Sequence, residues 1–180
     1  MATTSALMTV AEFLALPEDE GKKMELIEGE LIVMGSAKRQ HEIVKAGAIK
    51  SLVVYETTHP HVTVMFETMY VLGQSSPIPD ASVILTERLA PANSDFFDIA
   101  PEIAIEVVSS ETAEALMGKV RVYLKHGVRA VWLLYPVQRC VMIFDAQGQR
   151  MLEGDDVLEQ PDVLPGFRVL ISDFFNLLVA

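Results

Sequence analysis

The sequence predicts an α/β fold in which a mixed β-sheet is flanked by helices. The chain has 180 residues, 51% of them hydrophobic, which is enough apolar material for the core of one domain. Short segments with the composition of strands alternate along it with segments of helical periodicity. One helical segment lies between the strand-like residues 102–108 and 129–135, and such a crossover makes two strands of one sheet parallel.

The first elements are a helix, a hairpin and a second helix. Thr9 and Glu12 form the pattern of a capping box, which starts a short helix. Gly29 divides the apolar residues 24–34 in the manner of a hairpin turn. Residues 38–57 carry apolar side chains at steps of three and four, which indicates a helix.

The central elements are three strands and a helix. Residues 61–72, 81–85 and 102–108 have the composition of strands. Residues 73–79 contain Gly and Pro and predict a loop. Residues 111–126 predict a helix that ends at a glycine and is capped by the preceding serines. The capping serines are Ser109 and Ser110, and the apolar side of the helix carries Leu116, Val120 and Tyr123.

The last third of the chain predicts further strands and a short helix. Strands are expected over residues 129–135 and 139–144, followed by a tight turn at 146–149. A strand over residues 167–171 precedes a terminal helix capped by Ser172. We expect the whole chain, residues 1–180, to form a single domain.

Composition excludes several classes of protein. The apolar runs are far shorter than the roughly 18 residues of a membrane-spanning helix. No basic start followed by an apolar segment indicates a secretory signal. The one cysteine, Cys140, cannot form an intrachain disulfide, which fits a reducing compartment. We therefore expect a soluble, cytoplasmic protein with no membrane partner.

The charge is strongly negative but unevenly distributed. The chain has 14 basic and 25 acidic residues, for a net charge of -11, which argues against a nucleic-acid partner because its backbone is also anionic. Eight of the 14 basic residues, however, fall within residues 38–55 and 115–130. A local basic surface is therefore possible on an acidic molecule.

A carboxylate stands in the middle of an apolar strand. In the strand of residues 102–108, one face would be wholly apolar and the other would carry Glu102 and Glu106. Burying a carboxylate is costly unless a cation or several donors compensate it, so Glu106 requires a partner. The carboxylate of Glu106 would also be explained by an edge strand with one solvent-exposed face, or by a salt bridge to a basic helix.

Asp80 is a second candidate acid. It follows Pro77 and Pro79 directly before a strand, and the rigid prolines would aim its side chain. Taken alone, it reads as an ordinary turn aspartate. Together with Glu106 it would supply the one or two carboxylates that a hard cation such as Mg²⁺ takes from a protein.

Lys119 is the third candidate. It lies in the helix that follows the Glu106 strand, at the edge of the predicted apolar stripe. A long side chain there can reach back over the sheet. A solvated helix lysine is the plain alternative.

These segments resemble the Uma family, a bacterial group classed with restriction endonucleases in the PD-(D/E)XK nuclease superfamily. The resemblance runs from about Thr9 to Phe175. It is carried by Met24-Glu-Leu-Ile-Glu-Gly-Glu-Leu, His41, Pro79-Asp80, Ile105-Glu-Val-Val-Ser109, Lys119 four residues before Tyr123, Gly127-Val128, Val131-Trp-Leu-Leu and Leu164-Pro-Gly. The superfamily core is helix, three strands, helix, strand, which is the order predicted above for about residues 38–135.

The resemblance implies a restriction-endonuclease-like fold and hydrolysis of nucleic-acid phosphodiesters, in DNA above all, with Mg²⁺ or Mn²⁺. Asp80 and Glu106 would hold the metal, with the carbonyl of Val107 or Val108 as a further ligand. The superfamily has a lysine two residues after the second acid, where this chain has Val108. Lys119 would take its place, orienting or deprotonating the water and stabilising the transition state. A homodimer is also implied, since the superfamily commonly pairs subunits to cut two strands.

Further residues could serve such a site. His41 and Glu42 open the first core helix, where an acid could hold water or a second metal or could simply be solvated. Glu25 and Glu30 could face the cleft or the outside of the hairpin. The basic residues expected to meet phosphates are Lys38, Arg39, Lys45 and Arg121.

Two other functions stay open at this point. A nuclease-like scaffold without activity could serve as a binding or self-association module, which would agree with the negative net charge and with Val108. A metal-dependent hydrolase of a small phosphate ester would use the same residues. Metal binding and the nicking of supercoiled DNA separate the three.

Overall fold

The computed structural model of the chain describes residues 7–17, 22–89, 95–109 and 111–176. A 3₁₀ turn, Thr86–Arg88, follows the fourth strand. The helices and strands, in chain order, are α1 (Val10–Leu14), β1 (Lys23–Ile27), β2 (Glu30–Met34), α2 (Arg39–Glu56), β3 (Val62–Phe66), β4 (Ala81–Leu85), β5 (Ile103–Val107), α3 (Ala113–Lys125), β6 (Ala130–Tyr135), β7 (Cys140–Asp145), β8 (Gly148–Glu153), β9 (Val157–Gln160), β10 (Leu164–Leu170) and α4 (Ile171–Phe175).

A six-stranded mixed sheet organises the fold, with the strand order β3-β4-β5-β6-β7-β8. Every neighbouring pair is antiparallel except β5 and β6, which are parallel. Helix α3 makes the crossover between these two strands, as the sequence predicts. The predicted class, a mixed sheet flanked by helices, is confirmed.

Each face of the sheet packs against its own helices. Side chains alternate along a strand, so Ile103, Ile105 and Val107 of β5 face one core, which also contains residues of α2 and α4. Ala104 faces the second core, which contains residues of α3. Glu106 has the same parity as Ala104 and therefore lies on the α3 side of the sheet.

The hairpin β1–β2 covers the α3 side. Glu28 and Gly29 form its turn with positive φ angles of 49° and 87°, a geometry that suits glycine at the second position. Ile27 joins the second core. Leu26 exchanges two backbone hydrogen bonds with Ser76, at N···O distances of 3.4 and 2.6 Å. These bonds attach the hairpin to the loop that leads to β4.

Several sequence predictions are confirmed and a few are wrong in detail. The capping box of α1 is present, with Thr9 and Glu12 bonded reciprocally. The strand expected over residues 61–72 ends at Phe66, because Glu67 takes a left-handed φ of 44° and leaves the β region. In the segment after it, Tyr70 and Leu72 make isolated β-bridges with Phe97 and Ser75, which lie outside the strands. Strand β9, which pairs with β10 in a separate two-stranded sheet, was not predicted.

The two predicted helix caps are also corrected. The N-cap of α3 is Thr112, whose side chain accepts from Ala115 N at 3.2 Å, and not Ser109; Ser110 lies outside the described residues. Helix α4 begins at Ile171, before Ser172. The first amides of α4 donate instead to backbone carbonyls of the turn after β8, so no side-chain cap is needed.

Among the described residues, no helix has both the length and the apolar character needed to cross a membrane.

Candidate functional site

A pocket of about 250 Å³ opens where β4 begins and β5 ends. Both acids singled out in the sequence, Asp80 and Glu106, line it. The remaining lining residues come from the hairpin, the start of α2, the segments after β2 and β3, and the segment after β5: Lys23, Met34, Gly35, Ser36, Ala37, Lys38, His41, Glu67, Ser109 and Glu111.

The pairing of β4 with β5 brings the two acids together. Ala81 lies opposite Ile105 in this antiparallel pair, so the same register places Asp80 opposite Glu106. Residues directly opposite each other in antiparallel strands project from the same face of the sheet. The amide of Val107 also donates to Asp80 Oδ2 at 2.7 Å. Two acids that are distant in the chain therefore share one pocket.

Asp80 is held as a carboxylate. It is only 4% exposed, and His41 Nε2 and Lys23 Nζ lie 3.2 and 3.8 Å from its oxygens. Burial opposes ionisation, but the hydrogen bond to His41, the charges of Lys23 and His41, and the Val107 amide outweigh it and lower the pKa of Asp80. The oxygens of Asp80 therefore carry negative charge at neutral pH.

Glu106 is in a different electrostatic environment. Lys119 Nζ lies 2.7 Å from Glu106 Oε1, and the hydroxyl of Tyr123 donates to the same oxygen at 2.6 Å. Burial is the largest cause, and together with the neighbouring carboxylates of Glu25 and Asp80 it raises the pKa of Glu106 to about 7 against the opposing charges of Lys119 and Lys23. Glu106 thus takes up a proton far more readily than Asp80.

Lys119 lies inside the protein. The sequence placed it at the edge of an apolar stripe, whereas in the structure it is 2% exposed and bridges Glu106 and Glu25. Burial opposes its charge, but the two carboxylates raise the pKa of Lys119 above its ordinary value. Lys119 is consequently a permanent cation in this arrangement.

Glu25, in the middle of β1, faces the site. Its Oε2 lies 2.9 Å from Lys119 Nζ, and its Oε1 accepts from Ile78 N at 2.6 Å and from Lys119 Nζ at 3.1 Å. The sequence alone left open whether Glu25 and Glu30 face the cleft or the outside of the hairpin, and the structure buries Glu25 and exposes Glu30. The signal for this was the alternation of Glu25 with apolar neighbours, which shows two faces without showing which is inside.

His41 and Glu42 lie at the start of α2. The imidazole of His41 connects Glu42 to Asp80. Its Nε2 lies 3.2 Å from Asp80 Oδ2, and its Nδ1 lies 3.1 Å from Glu42 Oε1. Burial lowers the pKa of His41, but Asp80 and Glu42 raise it by more. Glu42 and Glu67 both hold Lys45 in ion pairs of 2.8 and 2.9 Å.

The other basic residues named from the sequence differ in position. Lys38 lines the pocket as the N-cap residue of α2. Arg39 is exposed in the first turn of α2, and Arg121 is exposed on α3. The structure thus brings Lys38 to the pocket, and Arg121 is not among the residues that line it.

The donor set suits a hard divalent cation. Among the described residues, no donor lies within hydrogen-bond distance of Glu106 Oε2, and Asp80 Oδ1 has the ion pair with Lys23 Nζ at 3.8 Å. Both acids line the pocket. Groups of three or more His, Cys, Asp or Glu side chains arranged for a metal are absent from the described residues. A Mg²⁺ site takes one or two carboxylates from the protein, with water or phosphate as the other ligands, and Asp80 and Glu106 are the two acids at this pocket.

Comparison with known proteins adds a family and a fold. A family model described as "Uma2: Putative restriction endonuclease" matches residues 10–174. A crystal structure described as that of a putative nuclease belonging to DUF820, from Anabaena variabilis, has a TM-score of 0.87 at 24% sequence identity. The match covers 96% of this chain and 99% of that chain, and it shows a common fold. No curated protein matches the chain.

The family model agrees with the resemblance found in the sequence. The chain belongs to the Uma2 family, whose model carries the description "Putative restriction endonuclease".

Proposed function

We propose that this protein is a metal-dependent endonuclease that hydrolyses phosphodiester bonds of nucleic acid, with DNA as the substrate and the cytoplasm as its location. One observation carries the proposal. Asp80 and Glu106 occupy opposite positions on neighbouring strands, line one pocket, and are accompanied by a lysine bound to Glu106. The family that the chain belongs to supports the nuclease class.

Asp80, Glu106 and the main-chain carbonyl of Val107 are the groups that would hold the cation. When bound, Mg²⁺ or Mn²⁺ supplies Lewis-acid activation of water and offsets charge on the phosphate. The protein's own part is to keep Asp80 ionised, through His41, Lys23 and the Val107 amide. It also keeps an oxygen of Glu106 directed at the same pocket.

Lys119 acts as a fixed positive charge in this proposal. Its two carboxylate partners keep it protonated, so it does not serve as the base that takes a proton from water. A buried ammonium beside Glu106 instead stabilises negative charge that develops on the phosphate. His41 has an auxiliary role, because its Nε2 orients Asp80 Oδ2, and Glu42 fixes the other ring nitrogen.

The basic residues of α2 and α3 are proposed to meet the substrate backbone. Lys38 lines the pocket, and Arg39 and Arg121 provide exposed positive charge on the two helices. Lys45 would have to exchange its ion pairs with Glu42 and Glu67 for a phosphate. Phosphate contacts of this kind position a nucleic acid without reading its sequence. A homodimer would allow two such sites to cut two strands.

Nicking of supercoiled plasmid DNA tests the proposal. The wild-type protein is expected to nick in Mn²⁺, and neither EDTA-treated protein nor Glu106→Ala should do so. Circular dichroism of Glu106→Ala controls for loss of the fold. Absence of nicking by wild-type protein with every divalent cation would overturn the proposal, and activity on a chromogenic phosphate ester alone would redirect it to small esters.

A second candidate is a nuclease-like module that binds partners or itself without catalysis. It is favoured by the complete engagement of Lys119 with Glu25 and Glu106 and by Val108 where the superfamily lysine is expected. Isothermal titration with Mn²⁺ discriminates between the two. The module requires no cation, whereas the nuclease binds one at a site that Glu106→Ala removes.

A further inference from the structure

Two buried polar groups of the site have been assigned no function so far: the hydroxyl of Tyr123 and the carboxylate of Glu25. Both residues are fully buried. A buried polar group that only stabilises the fold needs a hydrogen-bond partner, but any polar group of the protein can be that partner. These two groups are bonded to Glu106 and to Lys119, which are the residues on which the proposed chemistry depends.

Glu106 has two unequal oxygens. Oε1 lies 2.7 Å from Lys119 Nζ and accepts from the Tyr123 hydroxyl at 2.6 Å. No described residue donates to Oε2, and Glu106 lines the pocket. Two donors on one oxygen fix the rotation of the carboxylate about its last bond, so that the other oxygen is the one presented to the pocket.

Glu25 connects three parts of the molecule. Its carboxylate binds Lys119 from α3 and accepts from Ile78 N at 2.6 Å, two residues before Asp80. The hairpin thereby holds both the lysine and the segment that delivers the first acid. Without the charge of Glu25, Glu106 would be the one carboxylate partner of Lys119 among the described residues, and the lysine would compete with a cation for it.

We propose that Tyr123 and Glu25 are positioning residues of the acidic centre: Tyr123 with Lys119 occupies Oε1 of Glu106, Glu25 draws part of the lysine's charge away, and Oε2 is left to bind the divalent cation. The inference rests on the proposed function, because it names the residues that prepare that same site. Neither residue touches the substrate or the cation in this scheme.

Tyr123→Phe tests the first half, because it removes only the hydroxyl. The chain offers a matched control in Tyr70→Phe, since Tyr70 is also fully buried and its hydroxyl makes a 2.6 Å hydrogen bond, to Ser82. Both variants are expected to lower the melting temperature by a similar roughly 2–4 °C. Only Tyr123→Phe should weaken Mn²⁺ binding, by roughly 10- to 100-fold in isothermal titration.

Glu25→Gln tests the second half, because it keeps the shape and removes the charge. The matched control is Glu102→Gln, since Glu102 is an equally buried acid that accepts from Leu85 N and pairs with Arg88, outside the pocket. Glu25→Gln should weaken Mn²⁺ binding by roughly tenfold or more, and Glu102→Gln should leave it unchanged. DNA nicking should follow the Mn²⁺ affinity in all four variants.

The outcomes separate this inference from the proposed function. Equal Mn²⁺ affinity in wild type, Tyr123→Phe and Glu25→Gln, with wild-type nicking intact, would overturn the positioning role and leave the nuclease standing. Equal losses in the test and control variants would also overturn it, since they would reduce the effect to general destabilisation. Failure of the wild-type protein both to bind Mn²⁺ and to nick DNA would overturn the positioning role and the proposed nuclease function together.

Discussion

The two ends of strand β5 each carry a buried acid on the same face of the sheet. Glu102 precedes the strand, accepts from Leu85 N at 2.9 Å, and pairs with Arg88, which is partly exposed. Glu106 lies near the other end, opposite Asp80, with Lys119 and Tyr123 on one oxygen and the pocket beside it. Burial of a carboxylate therefore does not identify a site. A second acid, a fixed cation and an open pocket around the carboxylate distinguish Glu106.

Removing the charge at each end of β5 should give the largest contrast. Glu106→Gln is expected to reduce DNA nicking in Mn²⁺ by about 100-fold or more, because a bound metal contributes several kcal/mol to the transition state. Glu102→Gln should retain wild-type nicking. Initial rates on supercoiled plasmid measure both. Equal activity of the two variants would show that the ends of the strand are functionally equivalent.

Removing the basic side chain that pairs with the acid at each end of β5 should lower the free energy of unfolding by different amounts. Lys119→Met leaves Glu106 and Glu25 buried without their shared cation, and we expect it to lower the free energy of unfolding by about 3–5 kcal/mol. Arg88→Met should cost less, because Arg88 is partly exposed, only one acid loses its cation, and Glu102 keeps the hydrogen bond from Leu85 N. Urea denaturation of metal-free protein gives both values. A larger loss for Arg88→Met would reverse the comparison.

The pH dependence of stability should carry a contribution from Glu106. Its pKa of about 7 in the folded protein is raised from an ordinary value of 4.5, so the folded state holds the proton more tightly than the unfolded state does. The stability from this group is fully present below about pH 4.5 and is lost as the pH rises through about 7. Urea denaturation of metal-free wild type and Glu106→Gln between these limits measures it. Parallel curves for the two proteins would contradict the prediction.

The smallest effect is expected at the basic residue beside the pocket. Lys38→Ala should weaken DNA binding and reduce the slope of log K against log salt by about 0.9, the value for one phosphate contact. Arg168→Ala is the control, because Arg168 is exposed and pairs with Glu159 in the separate two-stranded sheet. Fluorescence anisotropy with labelled duplex at several salt concentrations measures both. An unchanged slope in Lys38→Ala would remove Lys38 from the interface.

Much of the fold follows from local patterns. The capping box of Thr9, the hairpin around Gly29 and the apolar stripe of α3 each depend on neighbouring residues, and each is found where the sequence predicts it. The misplaced details depend on distant backbone. Helix α4 starts before Ser172 because carbonyls of the turn after β8 accept its first amides, and no local pattern encodes them.

The sequence by itself determined the class of the fold, the order of its core elements, and the candidates Asp80, Glu106 and Lys119, because strand and helix periodicity and the family's motifs are properties of short segments. Only the tertiary structure decided that Glu25 joins Lys119, a residue 94 positions away, and that Tyr123 donates to Glu106. Such contacts depend on how the hairpin and α3 pack over the sheet. An ion pair inside a core depends on the elements that exclude water from it, and those elements come together only when the chain folds.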